Sequence, residues 1–281
     1  MPQSQKKAIL CPNCRKLIGQ DELFCPFCST RNPGSWTKNN PVTRSIDDAE
    51  KLIKTIIYLN VGMFALTVLL NPWSMKLSFN PLTFFAPELE NLLLLGATGT
   101  IPIDRYFRWW TLLSANFLHG GLLHIAFNMI ALKQLSVVVI REYGGHRMIL
   151  IYVIGGAIGF YVSYLAGVRF TIGASAAVCS LMGALLYYGK SRGGLYGQVI
   201  YKQVAAWAVS LFIFGLLVPG INNWGHGGGI AGGILLGFLL GYREKKPDNS
   251  IARFLAYLCA GITGLVLLWA VATGIYFRLT G

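Results

Sequence analysis

Apolar residues dominate the chain from about residue 50 onwards and fall into seven runs, several of which approach the length of a membrane span. We interpret each run as a helix. The predicted segments lie near residues 53–70, 122–140, 148–166, 173–188, 204–218, 225–242 and 254–277. The fourth and fifth are short for helices that face lipid, which favours a place for both in the middle of a bundle.

The connection between the first two segments, residues 71–119, is far longer than an ordinary loop. It contains Pro72-Trp73, Phe84-Phe85 and Trp109-Trp110, and aromatic residues of this kind suit the interfacial zone of a bilayer. The sequence therefore predicts a functional or membrane-associated element here.

The first 46 residues are polar and contain two Cys-x-x-Cys pairs, Cys11-Pro-Asn-Cys14 and Cys25-Pro-Phe-Cys28. Two such pairs at this spacing can place four thiolates around one zinc ion, as in a zinc ribbon. With so few apolar residues, the head would take most of its folding energy from the metal. The alternative is two disulfides in an exported head. No apolar signal-peptide core precedes the cysteines, and cytosolic thiols stay reduced, so zinc is favoured.

The composition is that of a polytopic membrane protein, since 54% of the 281 residues are hydrophobic and only 12% are charged. The net charge of +13 would suggest a nucleic-acid partner in a soluble protein. Here the basic residues lie mainly in short loops and the head, so topology explains them and no nucleic acid is expected. The predicted organisation is a zinc ribbon at 1–31, a linker at 32–46, a six-helix core at 47–245 and a seventh transmembrane helix at 246–281.

Basic loop residues set the expected orientation, because Lys and Arg favour the cytoplasmic side. One side of the predicted bundle holds Arg141, Arg147, Lys190, Arg192, Lys202, Arg243, Lys245, Lys246 and Arg253. The turn at 219–222, on the other side, has no charge. We therefore expect a multi-pass protein of a prokaryotic cell membrane with a cytoplasmic N-terminus.

Ser175 and His226 begin the fourth and sixth segments, both of which run towards the cytoplasm. A serine and a histidine at the same depth can meet as nucleophile and base. In the sixth segment, glycines recur every four residues and leave one face without side chains. These are Gly225, Gly229, Gly233, Gly237 and Gly241.

Such a face lets a neighbouring helix approach closely. The expected neighbour is the fourth segment, through Ser175, Cys179 and Gly183, which would bring Ser175 to His226. Glycine packing without catalysis would explain the stripe equally well, but it leaves the histidine unexplained.

His124 and Asn128 lie four residues apart on the second segment, near the expected outer level of Ser175 and His226. Both can present N–H donors to one point, which is what a developing oxyanion needs. The alternative for this pair is hydrogen bonding between helices. For His119, at the edge of the loop, we expect a structural hydrogen-bonding role.

Gly173-Ala-Ser175, His226 followed by glycines, and His119-x4-His124-x3-Asn128 together resemble the rhomboid intramembrane serine proteases, over roughly residues 50–245. The resemblance implies a dyad of nucleophile Ser175 and base His226 without an acid or catalytic metal. It also implies an oxyanion site built from the Ser175 N–H and the side chains of His124 and Asn128. The seventh segment resembles the helix appended in many members, and the zinc ribbon is an addition to the core.

Three positions depart from the family's usual pattern. Ala176 stands where a glycine commonly follows the serine, and Cys179 stands where an aromatic often stacks on the base. We expect Cys179 to be a small packing residue. The usual Trp-Arg pair of the long loop is Trp110-Thr111, with Arg108 nearby, so the resemblance does not supply the anchor of this loop.

The sequence thus predicts an intramembrane serine endopeptidase that cuts transmembrane segments of other proteins within the bilayer. The zinc ribbon is left to bind a cytoplasmic partner. One alternative is a catalytically inactive rhomboid-like protein that binds membrane helices. Another is a transporter or channel, for which Lys133 is the obvious ionisable residue deep in a span.

Overall fold

The computed structural model describes residues 8–12, 14, 16–35, 48–71, 84–245 and 250–280. The chain forms two compact units, Met1–Leu52 and Ile53–Gly281. The predictions that concern Pro72, Trp73, Lys246 and most of the linker at 32–46 lie outside the described residues.

The first unit contains an antiparallel hairpin of β1 (Ala8–Leu10) and β2 (Leu17–Gly19). Its buried cluster consists of Cys11, Ile18 and Cys25. A cluster of this size removes little apolar surface from water, so burial alone supplies little of the folding energy.

The second unit is built from helices. They are α1 (Ala49–Leu69), α2 (Leu89–Leu94), α3 (Thr100–Tyr106), α4 (Thr111–Ser114), α5 (Leu122–Tyr143), α6 (Gly145–Leu165), α7 (Ser175–Arg192), α8 (Gly194–Leu217), α9 (Asn223–Leu240) and α10 (Ser250–Thr280). A 3-10 turn at Ala115–Phe117 follows α4. The predicted all-α polytopic membrane fold is confirmed.

Each of the seven predicted segments coincides with a helix. Among the described residues, α1, α5, α6, α8 and α10 are long and apolar enough to cross a membrane. The fourth and sixth segments, α7 and α9, have 18 residues each and are not among these five helices. Most side chains of α7 are buried by its neighbours, as the sequence predicted for the fourth segment.

The fifth helix differs from its prediction. Helix α8 begins at Gly194 rather than near residue 204 and has 24 residues. Only 11% of its most apolar 18-residue stretch is buried. The expectation that it lies in the middle of the bundle is wrong. The polar pair Lys202-Gln203 interrupts the apolar run and made the helix look short.

One face of α9 packs against α7 through glycine, as predicted. A Cβ atom on Gly229 would overlap the carbonyl oxygen of Ala176, and one on Gly233 would overlap that of Ser180. Gly237 likewise faces Ala184, whereas Gly241 follows the helix with a φ of +66°. The backbones of the two helices therefore touch without intervening side chains.

A second glycine face of α9, not predicted from the sequence, packs against α6. A Cβ on Gly228 would lie 2.6 Å from Cβ of Val162, and one on Gly232 would lie 3.0 Å from a methyl carbon of Ile158. Helix α9 is consequently held between α6 and α7 on two faces.

Hydrogen bonds join the described part of the long connection, residues 84–119, to the bundle. Thr98 pairs with Thr171 of the α6–α7 loop in an antiparallel bridge. The Thr111 hydroxyl lies 3.0 Å from that of Thr98 and donates to the Arg108 carbonyl at 2.6 Å. Arg108 Nη1 in turn donates to the Leu93 carbonyl at 3.1 Å. Thr111 and Arg108 thus hold parts of this connection to one another, and Thr98 joins it to the α6–α7 loop.

Candidate active site and cysteine cluster

Ser175 and His226 lie in the first turns of α7 and α9, and the packing of these helices brings the two side chains together. Ser175 Oγ is 3.0 Å from His226 Nε2, a hydrogen-bond distance. His226 is buried, and in the described part of the chain its Nδ1 has no hydrogen-bond partner. The pair is therefore a serine–histidine contact to which no acid is joined in this part of the chain.

Gly173 lets the loop before Ser175 pass close to His124. A Cβ at this position would lie 2.7 Å from Nε2 of His124 and 3.6 Å from Ser175 Oγ. The φ of Gly173 is +122°, a conformation that other residues rarely adopt. Its N–H donates to the Ala115 carbonyl at 2.9 Å, which fixes the loop.

The hydrogen bonds of His124 assign its tautomer. The Gly120 backbone N–H donates to Nδ1 of His124 at 3.3 Å, so Nδ1 is the acceptor and Nε2 carries the proton of the neutral ring. Nε2–H is thus a donor on the side of Gly173 and Ser175. The Asn128 amide donates one N–H to the His124 carbonyl at 2.9 Å, which is a bond within its own helix.

Asn222 links the helix that carries His226 to two other elements, a role that the sequence reasoning missed. Its Oδ1 accepts from the Gly225 N–H at 2.9 Å and caps α9, while its carbonyl accepts from the His226 N–H at 3.1 Å. Its Nδ2 lies 2.8 Å from Ser163 Oγ and 2.9 Å from Thr171 Oγ1. Asparagine is a preferred N-cap residue, so its place just before α9 was the available signal.

His119 is fully buried and packs edge-on against His124, with ring centroids 5.1 Å apart. Among the described residues, neither ring nitrogen has a well-formed hydrogen bond, so the expected hydrogen-bonding role is not seen. Desolvation, with a contribution from His124, lowers the pKa of His119 well below its ordinary value. The ring is a neutral packing partner of His124.

Ala176 and Cys179, which depart from the family's usual pattern, each pack against a glycine of a neighbouring helix. The Ala176 methyl group packs near Gly159 of α6, where a Cβ would lie 3.0 Å from it. Cys179 is fully buried, and a Cβ on Gly229 would lie 3.1 Å from its own Cβ. Cys179 is thus the small packing residue that the sequence predicted.

The four cysteines of the first unit converge, with all sulfur atoms within 4.8 Å of one another. Cys11 Sγ lies 3.6 Å from Cys28 Sγ, and Cys14 Sγ lies 3.6 Å from Cys25 Sγ. Four thiolates at the usual zinc–sulfur distance of about 2.3 Å stand about 3.8 Å apart in a tetrahedron. The cluster fits that geometry, and all four thiols are free rather than paired in disulfides.

Residues 106–243 match the Rhomboid domain family. The matched range contains Ser175, His226, His124 and Asn128 and excludes the cysteine cluster. The all-α membrane fold is consistent with this match.

Curated relatives match part of the chain. Rhomboid protease GluP of Bacillus subtilis (strain 168) is 36% identical over 141 residues, which are 50% of this chain and 28% of the relative. RHOMBOID-like protein 4 of Arabidopsis thaliana is 31% identical over 198 residues, 64% of this chain and 50% of the relative. RHOMBOID-like protein 5 of the same plant is 38% identical over 117 residues, 40% and 38% of the two chains. The chain spans half or less of the length of these relatives.

Proposed function

We propose that this chain, which carries a rhomboid domain at residues 106–243, is a serine endopeptidase that cuts transmembrane segments of other proteins within the bilayer. The observation that carries the proposal is the 3.0 Å contact between Ser175 Oγ and His226 Nε2. A hydroxyl is a weak nucleophile unless a base takes its proton, and this contact provides the base.

In the proposed reaction, Ser175 Oγ attacks the scissile carbonyl carbon while its proton passes to Nε2 of His226. His226 then gives the proton to the leaving amine, and water hydrolyses the acyl-enzyme in the reverse sense. His226 needs no carboxylate partner for this exchange. Its orientation comes from the start of α9, where the His226 N–H is bonded to the Asn222 carbonyl.

The oxyanion formed by this attack requires donors that are already in place. Nε2–H of His124 is oriented by the bond from Gly120 to Nδ1, and it faces the loop before Ser175. The Ser175 N–H belongs to the first turn of α7, where a helix leaves its N–H groups without intrahelical acceptors. These two donors and the remaining N–H of Asn128 are assigned to the oxyanion.

The basic loops support an N-terminus in the cytoplasm and a dyad near the outer face of a prokaryotic cell membrane. The substrates proposed are single-span proteins with small residues at the cut. Their spans must unwind locally, because the backbone groups of a helix are otherwise paired within it.

We assign a structural zinc ion to Cys11, Cys14, Cys25 and Cys28, on the distances between their sulfur atoms. Zinc would supply folding energy to the head and no part of the peptide chemistry. The head is proposed to bind a cytoplasmic partner.

Two other functions fit these observations less well. A rhomboid-like protein that binds helices without cutting them would not need the aligned serine and histidine. A transporter would place ionisable side chains in the interior of its bundle, whereas Lys133 lies on an exposed face of α5.

Purified protein in liposomes, incubated with a generic single-span substrate, tests the proposal. Ser175→Ala and His226→Ala should each lower cleavage by at least about 1,000-fold, because the members of a dyad act as a unit. A fluorophosphonate should label Ser175 when His226 is present and fail to do so in His226→Ala.

Ser191→Ala is the matched control, since Ser191 lies near the opposite end of the same helix. It should cut and label like the wild type. Cleavage that survives in Ser175→Ala would contradict the assignment of the nucleophile.

A further inference from the structure

Lys133 lies at the middle of α5, a span of 22 residues. At 1.5 Å per residue, its Cα is about 16 Å from either end of the helix. The four-carbon stem of a lysine covers only part of that distance, so the ammonium group cannot reach the headgroups of either leaflet without distorting the bilayer. The other basic residues of the described spanning helices lie nearer to an end.

No neighbouring group among the described residues stabilises the charge of Lys133. Its side chain is exposed on the same face as Ile130 and Val137, which are 54% and 55% exposed. Among the described residues, the ammonium group takes part in no ion pair or hydrogen bond. An unpaired cation on an exposed helix surface at this depth is costly in a bilayer, so it indicates a binding surface for a partner that carries the opposite charge.

A second copy of this chain cannot supply the partner group. The chain has 11 acidic residues, and those within its spanning helices, Glu50 and Glu142, lie in a first and a last turn. No carboxylate of another copy therefore reaches the depth of Lys133, and a symmetric contact through this face would bring two lysines together. The carboxylate has to come from a different protein.

We propose that the exposed face of α5 around Lys133 docks substrate transmembrane segments that carry an Asp or Glu near the bilayer midplane. This inference rests on the proposed protease function and narrows its substrate class. A carboxylate and an ammonium group, each costly alone in lipid, become an ion pair on contact.

This docking face is separate from the catalytic groups. Lys133 is five residues from Asn128, about 140° around the helix, and nine residues from His124, about 13 Å along it. The acidic residue of a substrate is therefore expected about 13 Å deeper in the membrane than the cut.

The test uses single-span substrates that are identical except for Asp, Asn or Lys at the midplane position, reconstituted with the wild type, Lys133→Leu or Lys133→Glu. We expect the wild type to cut the Asp substrate about tenfold more efficiently, as kcat/KM, than the Asn substrate. Lys133→Leu should lose the preference, and Lys133→Glu should favour the Lys substrate. Lys202→Leu, which removes an exposed lysine nearer to a helix end, should behave like the wild type.

A photo-crosslinker at Val137 in the inactive Ser175→Ala variant measures docking without cleavage. The Asp segment should be captured more than the Asn segment, and Lys133→Leu should remove the difference. Equal capture and equal cleavage of the Asp and Asn substrates by the wild type and by both Lys133 variants would overturn the inference. Selective capture of the Asp segment by a wild type that cuts no substrate would instead uphold docking and overturn the protease function.

Discussion

His226 shows how a single residue depends on the turn that holds it. Its Nδ1 has no hydrogen-bond partner among the described residues. In a Ser-His-Asp triad an acidic residue bonds to this atom and orients the histidine, and the described residues supply none here. Asn222 takes that place through the backbone, because it caps α9 and bonds to Ser163 and Thr171 on other elements. The direction of the imidazole is set by where the helix begins.

Replacing Asn222 should therefore damage the chemistry more than the fold. Asn222→Ala removes the cap, at about 1 kcal/mol, together with both side-chain links. We expect labelling of Ser175 by a fluorophosphonate to slow by about 10- to 100-fold, since a shift of about 1 Å at a catalytic group has effects on that scale. Asn222→Asp, which keeps an acceptor for the Gly225 N–H, should recover part of the rate.

Asn223→Ala is the control for Asn222. Asn223 donates one hydrogen bond to the Phe212 carbonyl of α8 at 3.2 Å, so its loss has a comparable cost in stability. If the two alanine variants melt alike and label alike, Asn222 does not position the base.

The two residues that we propose carry the chemistry could be found from the sequence, and the residues that orient them could not. Ser175 and His226 could be paired because each begins an apolar run and a glycine stripe draws the two runs together. The tautomer of His124 depends on a backbone N–H of Gly120, which leaves no mark in the order of residues. Asn222 became visible only once the start of α9 was known.

Among the elements, α9 is the one whose position decides the site. Glycines on two of its faces let it touch α6 and α7, and the backbone contact to α7 fixes the separation of Ser175 and His226. Interfaces of this kind depend on close approach, so a single methyl group is enough to change them.

Gly233→Ala tests this interface against Gly227→Ala. A Cβ on Gly233 would overlap the Ser180 carbonyl oxygen, which cannot move aside, so we expect a loss of about 1–3 kcal/mol and slower cleavage. Gly227 has open space around its Cβ position, and alanine there should be neutral or stabilising by up to about 1 kcal/mol. Thermal unfolding and cleavage rates in the same detergent give the comparison. Equal melting temperatures would show that the helices do not meet as described.

At the same scale, the fifth helix shows where reading hydropathy fails. Lys202 and Gln203 lie on exposed positions of α8, so they continue the helix without needing to be apolar. Because these two residues bound the apolar run, hydropathy alone predicted a helix without its first turns. The shortened helix then suggested a buried position, although the surface of α8 faces outward. The fourth segment was judged correctly because its small residues are buried on all sides.

For the whole molecule, the division into two compact units implies two independent sources of stability. The helices of the second unit bury apolar surface against one another, whereas the first unit has a minimal buried cluster and four converging thiols. The Cys-x-x-Cys spacing was sufficient to predict that cluster.

Removing the proposed zinc ion should accordingly leave the proposed protease activity intact. Cys11→Ser should release about one zinc ion per chain and unfold the head, because metal binding and folding are coupled there. Metal analysis of the purified full chain checks the first effect, and cleavage of a generic substrate should persist. Cys259→Ser, at a cysteine of α10 outside the cluster, should keep its metal. Unchanged metal content in Cys11→Ser would contradict the assigned ligands.

The glycines of α9 also bear on the order in which the protein matures. The helix holds seven glycines in 18 residues, each about 1 kcal/mol less favourable in a helix than alanine. Such a segment gains its stability from neighbours that bury its bare faces and from surroundings without water to compete for its backbone groups. Until α6 and α7 have assembled, a newly inserted chain offers α9 no such surface. We therefore expect Ser175 to be in place before His226 during biogenesis, so that the proposed protease would gain the ability to cut only when α9 has packed.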